Sequence, residues 1–263
     1  MDRLPSPLLA LFASLQPRAE PRVARPGWHR HFAAFATRGT IVMLEPARDR
    51  HLVFDEGRAR QRFLPGPTFE PVAAVIGLET GAIADEHALL AWDRKPRPRA
   101  AWERDQSLAT AMAEGTTWFF QQACRRVGKA AMAEWLERFE YGNAALAGGI
   151  DHFWLQGGLR IGAFEQVRFL HRLAEGRLPA TQRAQRLVHQ AMVAEKTREY
   201  TLFARGGSIR DARRPIAWWT GWVERKGRLG ACFALNCELT PAMQGSGHAA
   251  LGRAILREAG ALP

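Results

Sequence analysis

Lysine is scarce in this chain of 263 residues: Lys95, Lys129, Lys196 and Lys226 are the only four, so arginine supplies nearly all of the 37 basic side chains. Those arginines are spread along the chain and form no polybasic arm. The formal net charge of +11 therefore gives diffuse attraction to anionic surfaces, and nucleic acid is not the expected partner. Cysteine is equally sparse. Cys124, Cys232 and Cys237 cannot all pair, and Cys232 and Cys237 lie five apart in one apparent strand, facing opposite sides. No disulfide framework is implied, and no cysteine or histidine recurs at metal-ligand spacing. Long hydrophobic runs are missing too. The short apolar stretch at residues 8–15, after Arg3, falls far below the roughly 18 residues of a membrane span. It also lacks a convincing small-x-small cleavage site, which leaves export open.

What is present suits one compact domain, since 47% hydrophobic residues in a chain of this length can fill a single large core. Proline and arginine crowd residues 17–26. Residues 1–26 read as an N-terminal arm or degenerate signal region, with ordered structure starting near Trp28 and a single domain over 27–263. Two buried strands follow, Thr40-Ile41-Val42-Met43-Leu44 and His51-Leu52-Val53-Phe54, joined by a charged turn. After Pro71, apolar residues Val72, Val75, Ile76 and Leu78 recur at helical spacing up to a stop at Gly81. The pattern predicts further helices over residues 108–114, 117–126, 130–139, 163–174 and 180–193. Residues 200–205, 215–224 and 229–239 return to strand-forming types, and a last helix spans about 247–258. Strands thus lie at both ends of the sequence around a helical insert, with no internal repeat.

Several strings, read in order, resemble the class D β-lactamases, relatives of the penicillin-binding transpeptidases. They are Gly39-Thr40-Ile41-Val42, Leu78-Glu79-Thr80-Gly81, Trp92-Asp93, Tyr141-Gly142-Asn143, Phe153-Trp154-Leu155, Glu165-Gln166-Val167, Gly221-Trp222-Val223-Glu224 and Phe233-Ala234-Leu235-Asn236. The resemblance implies an α/β (α+β) fold: a central antiparallel sheet flanked by helices, with a helical subdomain and an active site between the two. It also implies a periplasmic protein, although without a clear signal segment the cytoplasm stays open. No metal or organic cofactor is expected.

In that family a serine at the start of the core helix attacks the lactam, and a carboxylated lysine three residues later removes its proton. The spacing matters because i and i+3 share one helical face. The matching string here is Pro67-Thr68-Phe69-Glu70, which puts proline at the nucleophile and glutamate at the base. None of the five serines, Ser6, Ser14, Ser107, Ser208 and Ser246, has lysine three residues on; Leu, Pro, Thr, Asp and Ala stand there. Thr68 is one residue away from the vacant position and points about 100° aside on a helix. Proline suits a first helical turn without any functional role, and an early-turn Glu is favoured by the helix dipole.

The other family motifs have also changed. The second serine, a proton relay, falls on Gly115 in Glu114-Gly115-Thr116-Thr117-Trp118, so a relay would need Thr116 or Thr117. The lysine-threonine-glycine triplet falls on Arg205-Gly206-Gly207, which keeps a positive charge and loses the hydroxyl. The arginine that clamps the substrate carboxylate falls near His248, whose charge depends on pH. Trp154, which the resemblance places around the modified lysine, is retained, and with Glu70 beside it reads as core packing.

Two readings from different classes follow. One is a catalytically silent homologue whose cleft, with Thr68, Thr117, Trp154, Arg205, Gly207 and His248 as binding candidates, holds a β-lactam, a peptidoglycan-derived ligand or a protein partner. The other is a weak hydrolase in which Glu70 activates water through a raised carboxylate pKa. A third, a basic surface around Arg205 for an anionic glycan or nucleic acid, rests on charge alone.

Overall fold

The computed structural model describes residues 21–210, 215–243 and 245–263. The apolar run at 8–15 and most of the N-terminal arm lie outside them. Seven strands form one sheet in the order β1-β3-β2-β7-β6-β5-β4. They are β1 (Arg22–Ala24), β2 (Gly39–Glu45), β3 (Arg50–Phe54), β4 (Val193–Lys196), β5 (Thr201–Ile209), β6 (Ile216–Arg225) and β7 (Arg228–Glu238). Every pairing is antiparallel except β1 with β3. The last strands of the chain close onto the first because β7 lies between β2 and β6.

Period-two alternation divides the sheet into two buried faces. Trp218, Trp222, Cys232 and Ala234 join one core, whereas Trp219, Val223, Phe233, Leu235 and Cys237 join the other. Cys232 and Cys237 thus point to opposite sides, and all three cysteines are free and buried. The second face is covered by α1 (His29–Ala34) and, late in the chain, by a helix at Gly247–Glu258. The first face carries the helical region: α2 (Glu56–Ala59), α3 (Glu70–Glu79), α4 (Leu108–Glu114), α5 (Thr117–Val127), α6 (Lys129–Arg138), α7 (Ala163–Ala174) and α8 (Gln182–Ala191). The Gly247–Glu258 helix is α9.

Helix α3 is enclosed on all sides, with every residue from Glu70 to Leu78 buried. Such a helix needs no polar face, which is why the sequence from Pro71 reads as nearly continuous apolar residues. A 3-10 turn, Gly66–Phe69, leads into it, and Gly66 N–H donates to the Trp154 carbonyl at 3.0 Å.

Order begins earlier than expected. Arg22–Ala24 is not part of a free arm but the edge strand β1, tied by His51 N–H to the Pro21 carbonyl and Arg25 N–H to the Val53 carbonyl, both 2.8 Å. Prolines at 21 and 26 obscure so short a strand, yet an edge position tolerates them. Val23 packs on the second core while Arg22 pairs with Glu56 at 3.1 Å. The helix expected over 180–193 is also shorter, because Thr181 caps it through Ala184 N–H at 3.2 Å and the chain leaves it at Met192 to form β4.

Candidate functional site

The start of α3, the end of α4 and the strand β5 meet in one place. Pro67 sits in the 3-10 turn, where a missing N–H costs nothing, and its ring lies against β5. A Cβ on Gly207 would fall 2.5 Å from Pro67 Cγ, so the glycine leaves the room that the ring fills. Two residues back along the strand, on the same face, Arg205 runs inward. Its Nη1 donates to the Met112 carbonyl at 2.9 Å, and its Nη2 donates to Glu70 Oε2 in a close ion pair.

That pair is almost dry. Glu70 is 1% exposed and the Arg205 side chain 12%. Burial pushes the Glu70 carboxyl above the usual carboxylate range, and the Arg205 charge and hydrogen bond, with a smaller contribution from Arg99, oppose it. Gly115 ends α4 in the left-handed region at φ 66°, and a Cβ there would come within 2.6 Å of Arg205 Nη2. Gly115 therefore serves two needs, a backbone turn open to glycine and a path for the guanidinium.

An open cleft of about 440 Å³ adjoins this arrangement. Of the residues singled out in the sequence, Pro67, Gly115, Thr117, Arg205, Gly207 and His248 line it. Glu70 does not, being screened behind Arg205. Thr68 and Trp154 do not either, and the expectation that they face a ligand is corrected. Thr68 is buried, its hydroxyl donating to the Pro65 carbonyl at 2.8 Å and accepting from Gln166 Nε2 at 2.7 Å. Trp154 is fully buried among Phe69 and Phe153, with ring centroids 5.2 and 5.0 Å away, and among the described residues its indole N–H has no partner. Both positions belong to the core because the aromatic residues around Phe69 close over them.

His248, near the start of α9, is 9% exposed, and among the described residues its Nδ1 has no partner. Burial lowers its pKa below the ordinary 6.5, so the ring is neutral at neutral pH. Thr116 is buried, its hydroxyl without a partner among the described residues, whereas Thr117 opens α5 at the cleft. The sequence did not single out Arg99, Trp102, Glu114 or Arg210, which also line the cleft. No fixed spacing marks them, since they come from the loop before α4, from α4's last turn and from the end of β5. Ser208 lines it as well, but among the described residues its hydroxyl is bonded to no base. No group of three His, Cys, Asp or Glu among the described residues is placed to hold a metal ion.

Comparison with known proteins gives a consistent picture. The profile of the penicillin-binding protein transpeptidase domain matches residues 39–257. The chain is similar to β-lactamase OXA-48 of Klebsiella pneumoniae, 35% identical over 237 residues that cover 90% of this chain and 89% of that protein. It is also similar to β-lactamase OXA-10 of Pseudomonas aeruginosa, 39% identical over 215 residues, 81% and 80% of the two chains. Among solved structures, the class D β-lactamase YbXI from Nostoc superposes with a TM-score of 0.86 at 29% identity, over 90% of this chain and all (100%) of that one.

Proposed function

This chain belongs to the class D β-lactamases of the penicillin-binding transpeptidase fold, and from that premise we propose that it has lost serine-type hydrolysis and keeps its cleft for non-covalent binding. One observation carries the reading. Glu70 turns its carboxylate into a buried pair with Arg205 while Pro67 fills the position expected of the nucleophile. Removing the nucleophile from a serine hydrolase costs about a millionfold in turnover, and what survives is binding and transition-state donors.

The ligand in this reading is a β-lactam or a peptidoglycan-derived molecule. Support comes from β5, which β4 covers only over Thr201–Phe203. Gly206 and Gly207, farther along β5, border the cleft, so an extended chain can lie along the uncovered edge and form main-chain hydrogen bonds.

Direct activation of water by Glu70 has one point in its favour, the burial that raises its pKa. Against it, a general base must come within about 3 Å of the proton it takes, and Glu70 is neither on the lining nor free of Arg205.

The test is to incubate the purified protein with a chromogenic cephalosporin and a fluorescent penicillin, with intact-mass spectrometry of the same samples. No turnover and no adduct are expected. Sustained turnover or an acyl adduct would overturn the reading. A thermal-shift titration with penicillins and muropeptides then reports on the retained cleft.

A further inference from the structure

Within the cleft, the positions where the family resemblance puts cations no longer supply free charge. Arg205 is compensated by Glu70. His248 is buried and neutral at neutral pH, since desolvation holds its imidazole below the ordinary value. Two other guanidiniums replace them on the lining. Arg99, exposed, comes from the loop before α4; it stacks over the Trp102 ring at 5.3 Å and reaches the Glu114 carbonyl at 3.4 Å. Arg210, also exposed, follows β5. Among the described residues neither forms an ion pair with a carboxylate, although Arg99 acts on Glu70 at longer range, and Glu114 is the only acidic residue on the lining.

The backbone adds to this field. Helix α5 opens at the cleft through Thr117, and the unsatisfied N–H groups of a helix's first turn favour negative charge. The His248 Nδ1, buried and without a partner among the described residues, offers a further polar atom to an occupant on the same lining.

We propose that the cleft is an oxyanion site in which Arg99 and Arg210, rather than Arg205 and His248, hold a carboxylate or phosphate group of a small organic ligand. The proposal rests on the non-covalent reading above and names the ligand class for that site. Guanidinium suits both groups, because its fork of N–H donors matches two oxygens of either. The site carries no covalent step.

Isothermal titration of the full chain with phenylacetate, phenyl phosphate and neutral phenylacetamide tests it. At least one of the two anions is expected to bind, more weakly as salt is raised, and the better of them identifies the headgroup. Arg99→Gln and Arg210→Gln are each expected to weaken that anion about ten-fold or more, the value of one charge-assisted contact. Both residues are exposed, so their variants should melt like the parent. Loss of binding in both supports the site. Binding unchanged in both variants, binding of phenylacetamide as tight as that of phenylacetate, or no binding of either anion overturns it. Exposure of the titrated samples to benzylpenicillin, followed by mass measurement, keeps the two claims apart. An adduct would sink catalytic silence and leave the oxyanion site standing.

Discussion

Arg205 occupies the space that a side chain on Gly115 would need: a Cβ there would lie 2.6 Å from Nη2, in a backbone conformation at φ 66° that disfavours any other residue. The two residues are 90 positions apart in sequence, yet each sets the identity the other can have. The guanidinium passes over the glycine to reach Glu70, and the residues at 70, 115 and 205 therefore act together.

Gly115→Ser restores the hydroxyl that the family motif carries and is expected to destabilise the protein. The left-handed conformation alone costs about 1–3 kcal/mol for a residue with a side chain, and displacement of Arg205 adds to it. Urea unfolding compared with the parent measures the loss; an unchanged midpoint would show that Arg205 does not need the space.

Breaking the Glu70–Arg205 pair from one side should be costly. Glu70→Leu or Arg205→Met is expected to lose about 3–5 kcal/mol, because each leaves a buried charge without its partner. The double variant Glu70→Leu with Arg205→Met should recover much of that loss. A double variant whose cost equals the sum of the two singles would show that the pair does not couple.

Stability should also respond to pH through His248. Its folded pKa lies below the unfolded value, so the unfolded chain binds the extra proton first as pH falls. Stability present above about 6.5, the unfolded value, is lost as pH drops toward the folded pKa. Denaturant midpoints at neutral pH and at about pH 5 are expected to differ less in His248→Gln than in the parent. An identical pH slope in the two proteins would remove His248 as the cause.

Trp154 offers a test of an unsatisfied donor. Truncation to Ala should cost about 3–5 kcal/mol as for other large core side chains. Trp154→Phe should cost clearly less, because it also removes a buried N–H whose lack of a partner is worth about 1–3 kcal/mol. Equal costs would indicate that the indole N–H is satisfied in solution.

Much of the fold was legible in the sequence. Runs of apolar and strand-forming residues marked β2, β3, β6 and β7, and helical spacing marked α3 and α7, because each buries enough residues to leave a pattern. What escaped was short or locally ambiguous: β1 carries only Val23 as an inward residue, and β4 continues directly from α8. The site was legible where it follows motif spacing, as at Pro67, Gly115 and Arg205. The spacing could not tell which way Glu70 points, since that depends on a strand 135 residues away. Nor could it gather Arg99 and Arg210, which share a cleft only through tertiary packing.

The interlock of Glu70, Gly115 and Arg205 also makes substitutions at this site interdependent. Pro67→Ser alone supplies a hydroxyl with no base facing it. Glu70→Lys alone puts a second cation against Arg205 in a buried space, and Gly115→Ser alone collides with the guanidinium. A change at 70 or at 115 is therefore tolerated only once residue 205 has changed with it. Exposed residues at the rim of the cleft can be substituted one at a time without unfolding the protein, while this inner trio varies only as a set.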